Sequence, residues 1–358
     1  MSWEVDDQRL AAEYVLPLRW ASDRGIGELT GYLRRLAGWL DVTVVDGSPP
    51  ALFAQHRLLL SPWVRHVAPR DWPGGNGKVA GVVTGVRAAR HDRVVIADDD
   101  VRWDRDGLAR MVDLLSEADL VRPQNYFSSW PWHARWDGAR TLLNRAVGAD
   151  HPGTCGVRRE VFAGMGGYDG DALFENLELL RTVRAYGGRV RTEPALLVAR
   201  RPPSAEHFLR QRVRQAYDDL AQPARLLVEG ALLPGTLALM VRGGRRAGPL
   251  GAVRPLLALA GAACGLAEAG RRRGGGAAVF PASVVAWAPV WLGERAVCVW
   301  LALLSRLRGG ARYGDGRLVL AAHSLRRLRR DLPGRPVLDP LPLDALGDPI
   351  QTAPDVRG

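Results

Sequence analysis

Val94-Val95-Ile96-Ala97-Asp98-Asp99-Asp100-Val101-Arg102-Trp103 is the stretch whose reading decides the fold. Four small or branched apolar residues run directly into three carboxylates. The apolar run reads as a strand buried on both faces, as in a parallel sheet. Three like charges within a few ångströms repel one another, so the strand end calls for a positive partner. In a strand, residues two apart share a face, which aims Asp98 and Asp100 at one ligand and turns Asp99 away. Hard oxygen donors of this kind suit Mg²⁺ or Mn²⁺, completed by substrate phosphates. The competing reading is a solvated acidic turn.

Upstream, Tyr14-Val15-Leu16-Pro17-Leu18 reads as a strand, and residues 26–40 carry apolar side chains at helical spacing. Val42-Thr43-Val44-Val45 is a second strand, ending in the turn sequence Asp46-Gly47-Ser48-Pro49-Pro50. Residues 65–68 form a short third strand. Gly74-Gly75-Asn76-Gly77-Lys78 then opens a helix over 79–89. Such a loop presents backbone N–H groups and a helix N-terminus to an anion. It lacks the spacing of a P-loop. Strand, helix, strand, then loop, helix, strand predicts a parallel α/β sheet with helices on its faces. The polar strand ends at Arg19, Asp46 and Asp98–Asp100 then line one crevice.

The chain has 358 residues and a formal net charge of +11, which suits a polyanionic partner: nucleic acid, anionic lipid or a phosphorylated small molecule. Of 49 basic residues, Lys78 is the one lysine. In that background it suggests a position wanting a compact ammonium, with chance survival as the alternative. Cys155, Cys264 and Cys298 are widely spaced and suggest a reducing compartment. Residues 1–9 are polar and read as lacking a signal peptide.

The order of these features, with Asp-Gly-Ser after the second strand, Asn-Gly-Lys before a helix and Asp-x-Asp after a strand, resembles the GT-A domain of family 2 glycosyltransferases. Three later segments add to the resemblance: Gly153-Thr154-Cys155-Gly156-Val157-Arg158-Arg159-Glu160-Val161-Phe162; Gly166-Gly167-Tyr168-Asp169 with Leu173-Phe174-Glu175-Asn176-Leu177-Glu178-Leu179; and Gln211-Arg212-Val213-Arg214-Gln215. The last is similar to the Gln-x-x-Arg-Trp motif of membrane-linked members, including ceramide glucosyltransferase-like enzymes. The resemblance covers residues 12–220. It implies a Rossmann-like GT-A domain with a mixed, mostly parallel sheet over 1–220, an apolar helical and membrane-associated region over 221–312, and a tail over 313–358.

The resemblance also implies roles. Asp46 would contact the base or ribose, and Lys78 would lie near base and phosphates. Asp98 would help hold the nucleotide, and Asp98 with Asp100 would bind Mn²⁺ or Mg²⁺. Gln211 and Arg214 would approach the diphosphate or close the site. The implied partners are a nucleotide-sugar donor, commonly UDP-linked, a lipid or glycan acceptor and the cytoplasmic face of the cell membrane, with no nucleic acid.

Two departures stand out. The family pattern has Glu-Asp where this chain has Glu175-Asn176, and that Asp is the usual general base. Asn takes no proton at neutral pH. Glu175 and Glu178, neighbours at three-residue spacing on a helix over 173–183, are the substitutes. Gln215 stands in place of the Trp. Asn176 therefore also suits a catalytically impaired nucleotide-sugar-binding protein. A nucleotidyltransferase would want a Gly-rich loop after the first strand, where Arg19-Trp20-Ala21-Ser22-Asp23 stands instead.

Residues 123–136 are rich in aromatics, most of them suited to simple packing. Trp132 and His133, after Pro131, read as loop residues able to stack on a sugar. Beyond residue 219, four apolar stretches (226–241, 250–267, 277–293 and 296–304) are each short or interrupted for a spanning helix of about 20 residues. Basic linkers separate them, so hairpins, re-entrant pieces or interfacial helices fit better than single crossings. Trp287, Trp291 and Trp300 suit a membrane interface. Residues from 332 on read as an extended or disordered end.

Overall fold

Strand β1, Glu13–Leu18, sends Tyr14, Leu16 and Leu18 into one apolar layer and Val15 into another. Strand β4, Arg93–Ala97, divides its side chains in the same way, with Val95 and Ala97 on the first side and Val94 and Ile96 on the second. This two-sided burial is what a central strand between helical layers requires. The computed structural model describes residues 9–23, 25–148, 150–314 and 316–342.

The remaining strands are β2 (Asp41–Asp46), β3 (Arg65–Val67), β5 (Val101–Arg102), β6 (Leu120–Phe127), β7 (Thr154–Arg158) and β8 (Val190–Arg200). They form one eight-stranded sheet in the order β3-β2-β1-β4-β7-β6-β8-β5. The first four run parallel, β7 is antiparallel to both its neighbours, β6 and β8 are parallel, and β5 closes the edge antiparallel to β8. The sheet is thus mixed and mostly parallel. Helices Ile26–Ala37 and Arg105–Leu114 cover one face; Gly77–Ala88 and Glu175–Tyr186 cover the other.

Three sequence expectations need correction. Asp98–Asp100 leave β4 in a turn before β5, so strand alternation does not orient them. Trp132 and His133 open the helix Trp132–Val147, for which Pro131 is the preceding cap residue; proline stops a helix from behind but is well suited to its start. His133 is buried and bonds the Pro203 carbonyl. The end of the chain does not trail away within the described residues. Strands β9 (Ala311–Tyr313) and β10 (Gly316–Leu318) and helix Leu325–Asp331 return to the first domain, and residues 335–341 run along it, with the N–H groups of Leu338 and Leu341 donating to Ala163 and Arg87 carbonyls. The part of the expected tail over 343–358 lies outside the described residues.

Residues 223–272 form a helix broken at Ala247 and Gly248, whose dihedrals leave the helical region. Both ends sit on the Trp132–Val147 helix: Arg225 bonds Asn144, and the Gly270 carbonyl accepts from Arg145. The two arms therefore form a hairpin, each arm about 24 residues or about 36 Å long. Near the root, Ala263 and Ala267 pack with Phe280, Val284 and Trp291. Farther out, Leu237, Leu239, Val241, Leu250, Val253 and Leu257 are exposed. This segment and Ala282–Leu307 are both long and apolar enough to cross a membrane. Of the three tryptophans, Trp291 is buried, Trp287 stacks on Trp136, and Trp300 stays exposed.

Candidate active site

A cavity of about 770 Å³ opens where β1, β2 and β4 end, roofed by the segment around Arg212–Tyr217 and by Tyr313. Lys78, Asp98, Asp100, Glu175, Asn176, Gln211 and Arg214, drawn from four separate segments, all line it. Among the residues expected at the site, Asp46 and Glu178 do not.

The three adjacent carboxylates coexist because each has its own partner. Asp98 Oδ1 lies 2.6 Å from Lys78 Nζ. Asp99 accepts from the Trp20 indole N–H. Asp100 Oδ2 accepts from Arg200 Nε at 2.7 Å. Asp100 Oδ1 is buried without a partner among the described residues. Burial pushes the Asp100 carboxyl above the usual range, against the pull of Arg200. Asp98 is seated under Gly153, where a Cβ would come within 2.3 Å of its Oδ2, so a side chain at 153 would displace the carboxylate.

Lys78 stands at the start of helix Gly77–Ala88 because Asn76 caps it, accepting from the Lys78 N–H at 3.1 Å. Asn76 is itself tied to the Ala172 carbonyl and to the Tyr313 hydroxyl. The ammonium also meets Glu175 Oε1 at 2.5 Å. Burial alone would lower the Lys78 pKa; Asp98 and Glu175 outweigh it and hold it well above the ordinary value. Burial raises that of Glu175, with Lys78 opposing. The ammonium thus reaches two carboxylates at once, the position for which a point charge is better suited than a planar fork.

Arg214 bonds Gln211 Oε1 at 3.2 Å, and its guanidinium lies 5.3 Å from the Tyr313 ring centre. Asp46 is buried behind the wall. It accepts from Ser48 N–H at 2.9 Å and meets His56 Nδ1 at 2.6 Å and His66 Nε2 at 3.0 Å. Burial raises its pKa, but these hydrogen bonds prevail and bring it to about 2. Ser48 in turn accepts from the Trp20 N–H. Asp46 thus braces the Trp20 corner from behind. Glu178 is fully buried and accepts from His323 N–H at 2.7 Å and meets His323 Nδ1 at 2.9 Å. One helical turn suffices to send Glu175 into the cavity and Glu178 to the returning C-terminal segment.

Sequence reasoning missed Arg200, Tyr313 and Asp218, all of which line the cavity. Arg200 lies a hundred residues from its partner Asp100. Tyr313 falls in what read as a tail. Asp218 sits four residues after Arg214, a helical spacing that would have placed it on the same face.

Residues 55–127, which contain both Lys78 and the three aspartates, match the sequence model of glycosyl transferase family 21. No curated protein matches the sequence. Among the solved structures that are similar in part are the following two. One is a mannosyltransferase from Pyrobaculum calidifontis, solved with GDP-mannose and Mn²⁺, at 20% identity and a TM-score of 0.45 over 84% of this chain and 90% of that one. The other is a mycobacterial protein, at 16% identity and a TM-score of 0.38 over 55% of this chain and 69% of that one.

Proposed function

We propose that the protein transfers a sugar, with inversion, from a nucleoside-diphosphate donor, UDP-linked in the first instance, to the hydroxyl of a lipid or glycan at the cytoplasmic face of the cell membrane. The observation carrying this reading is the convergence of Lys78, Arg200 and Arg214 with Asp98 and Asp100 in one cavity. Cations so placed suit a diphosphate leaving group, whose charge grows in the transition state.

The carboxylates fit Mn²⁺ or Mg²⁺. Asp100 offers a buried oxygen with no partner among the described residues, next to Asp98, and hard cations of this type take one or two carboxylates and complete their shell with phosphate oxygens. No group of three or more protein ligands exists among the described residues, so Asp98 and Asp100 would hold the ion together with the donor. A bound ion would supply Lewis-acid stabilisation of the leaving diphosphate. Lys78 and Arg214 provide fixed positive charge on the same wall. Gln211 holds Arg214 in place. Asp46 acts through Ser48 and Trp20 to set the shape of the wall on which the nucleoside lies.

The membrane assignment rests on the hairpin. Its exposed apolar residues, among them Leu237, Val241, Leu250 and Leu257, suit arms laid in the membrane interface beside the cavity. No acidic residue occurs between Glu229 and Glu268, while Arg242, Arg245, Arg246 and Arg254 cluster around the tip. That charge pattern suits an anionic leaflet. The root of the hairpin, at Gln222 and Arg225, opens on the donor cavity, which suits an acceptor carried in the membrane.

The test is release of nucleoside diphosphate from UDP-glucose, UDP-galactose and GDP-mannose by the full chain in lipid, with Mn²⁺ or Mg²⁺. Transfer from at least one donor is expected, with a thermal shift that grows with donor concentration. Absence of any shift or turnover, or unchanged nucleotide-sugar binding in Asp100→Asn, refutes the reading. Asn176 favours a second one, in which the chain binds a nucleotide sugar without transferring it; binding without turnover would decide for that.

A further inference from the structure

The side chains expected to accept the acceptor's proton are poorly placed to do so. Asn176 has no basic atom, Glu178 is bound to His323, and Glu175 Oε1 is engaged by Lys78. Across the same cavity stand two acceptor atoms with no donor. Asp218 Oδ1 and Gln215 Oε1 are both buried and unpartnered among the described residues. Both residues line the cavity. They are three apart, Gln215 in helix Arg212–Tyr217 and Asp218 opening the following 3₁₀ turn, so they lie on neighbouring positions of one face.

Buried acceptors left open cost free energy unless something donates to them. Two side by side, with no protein donor, call for a ligand carrying hydroxyl groups. The next residue, Asp219, shows the contrast: its carboxylate is buried and bonded to Arg295 at 2.7 Å and Arg225 at 2.9 Å. Asp218 is the acid of the pair left free for chemistry. It shares the cavity lining with Gln222 and Arg225 at the hairpin root, where an acceptor from the membrane would enter.

We propose that Gln215 and Asp218 form the acceptor-hydroxyl subsite and that Asp218 is the general base of the transfer; this rests on the function proposed above. The Asp218 carboxylate takes the proton of the acceptor O–H. The oxygen's electron pair forms the new bond to the anomeric carbon. The bond from that carbon to the diphosphate oxygen breaks, and its electron pair leaves with the nucleoside diphosphate. Asp218 then returns its proton to solvent. The charged groups facing Asp218 are Arg214 and Asp219 on its own segment, Arg295 from helix Ala288–Leu307 and Glu175 from helix Glu175–Tyr186. Burial outweighs the two arginines and pushes its carboxyl up to about 7, the range in which a base both ionises and accepts a proton at neutral pH.

The experiment uses the full chain in lipid with the donor that turns over, and compares the parent with Asp218→Asn, Asp218→Glu, Gln215→Leu and Glu175→Gln. Nucleoside diphosphate release is followed from pH 5 to 9, and thermal shift with UDP or GDP reports the donor site separately. Asp218→Asn is expected to lower kcat by about 10²–10⁴-fold and to lose the rise in rate through pH 7, with the nucleotide-induced shift retained. Asp218→Glu should restore part of the rate. Gln215→Leu should raise the acceptor KM several-fold with little change in kcat. A rate for Asp218→Asn within tenfold of the parent, or a rise through pH 7 that survives there and vanishes in Glu175→Gln, overturns the proposal. If the parent shows neither nucleotide shift nor turnover, the function itself fails and the base assignment falls with it.

Discussion

Replacing Lys78 with Ala probes the centre of the cavity. Its ammonium contacts Asp98 at 2.6 Å and Glu175 at 2.5 Å. At an effective dielectric of about 20, each contact is worth about 6 kcal/mol of attraction, offset by several kcal/mol for desolvating each ion. Removing Lys78 loses both attractions and recovers only the ammonium's own desolvation. Two partly buried carboxylates are left facing each other. Loss of one partner from a buried pair costs about 3–5 kcal/mol. The Lys78 and Asp98 side chains are 22% and 23% exposed, which places the expected loss at the lower end, about 3 kcal/mol. With an unfolding entropy of about 2.1 cal/mol/K per residue over a domain of roughly 220 residues, that is a Tm drop of about 6 °C. Scanning calorimetry on Lys78→Ala measures it. Adding Glu175→Gln removes one uncompensated charge, so the double variant should melt several degrees above the single one. A Lys78→Ala protein melting within 1 °C of the parent, or a double variant no more stable than the single, refutes the account of Lys78 as the bridge between the two acids.

Asp46, held at about 2 against an ordinary 3.8, contributes about 2 kcal/mol to stability. Its folded pKa is depressed, so that contribution is complete above about pH 4 and is lost as pH falls toward 2; Asp46→Asn should flatten this part of the acid-unfolding curve, read by circular dichroism. At Gly74, φ is +113° and a Cβ would lie 2.2 Å from the Gly170 carbonyl carbon. Gly74→Ala should therefore shift the loop that places Lys78 and weaken nucleotide binding about tenfold or more in calorimetric titration, with a stability loss of about 1–3 kcal/mol. Exchanging Arg242, Arg245 and Arg246 for Ser should lower partitioning onto phosphatidylglycerol vesicles about 100-fold and leave neutral vesicles unaffected, at about 1 kcal/mol per arginine; co-sedimentation at low and high salt checks it.

Much of the cavity lining was legible because its signals are local. An apolar run that ends in Asp98–Asp100, a capped Gly-rich loop before Lys78 and an acidic pair opening a helix are each contained in about ten residues. Strand order along the chain then brings their ends to one edge. What was not legible depends on contacts far apart in sequence. Glu175 and Glu178 look equivalent as neighbours on one helix, and only His323, 145 residues away, removes Glu178 from the cavity. Asp46 reads as a ligand-binding turn residue until His56 and His66 both converge on its Oδ2 and Ser48 takes its Oδ1. The broken apolar stretches over 226–267 suggested hairpins in general. That they form one hairpin rooted on Trp132–Val147 depends on Asn144 and Arg145, which carry no sequence sign of that role.

The opening question was how three aspartates can follow one buried strand. The structure distributes them: Asp98 to Lys78, Asp99 to Trp20 and Asp100 to Arg200. Each acid thus has a partner without a ligand, and that arrangement would set the terms of binding for the donor proposed above. Lys78 and Arg200 are the charges that hold the acids, and they border the cavity where a diphosphate would lie. A diphosphate arriving with a divalent cation brings its own counter-charge for the acids and offers anionic oxygens to the same lysine and arginine. Ion pairs are exchanged, so few charges lose a partner in the process, and the desolvation that makes a buried charge expensive has already been met in folding. A chain with acids and no such cations would hold a metal at the cost of repulsion in its absence. The single lysine of the chain, placed between Asp98 and Glu175, relieves that repulsion and couples the Asp98–Asp100 turn to the helix that carries Asn176.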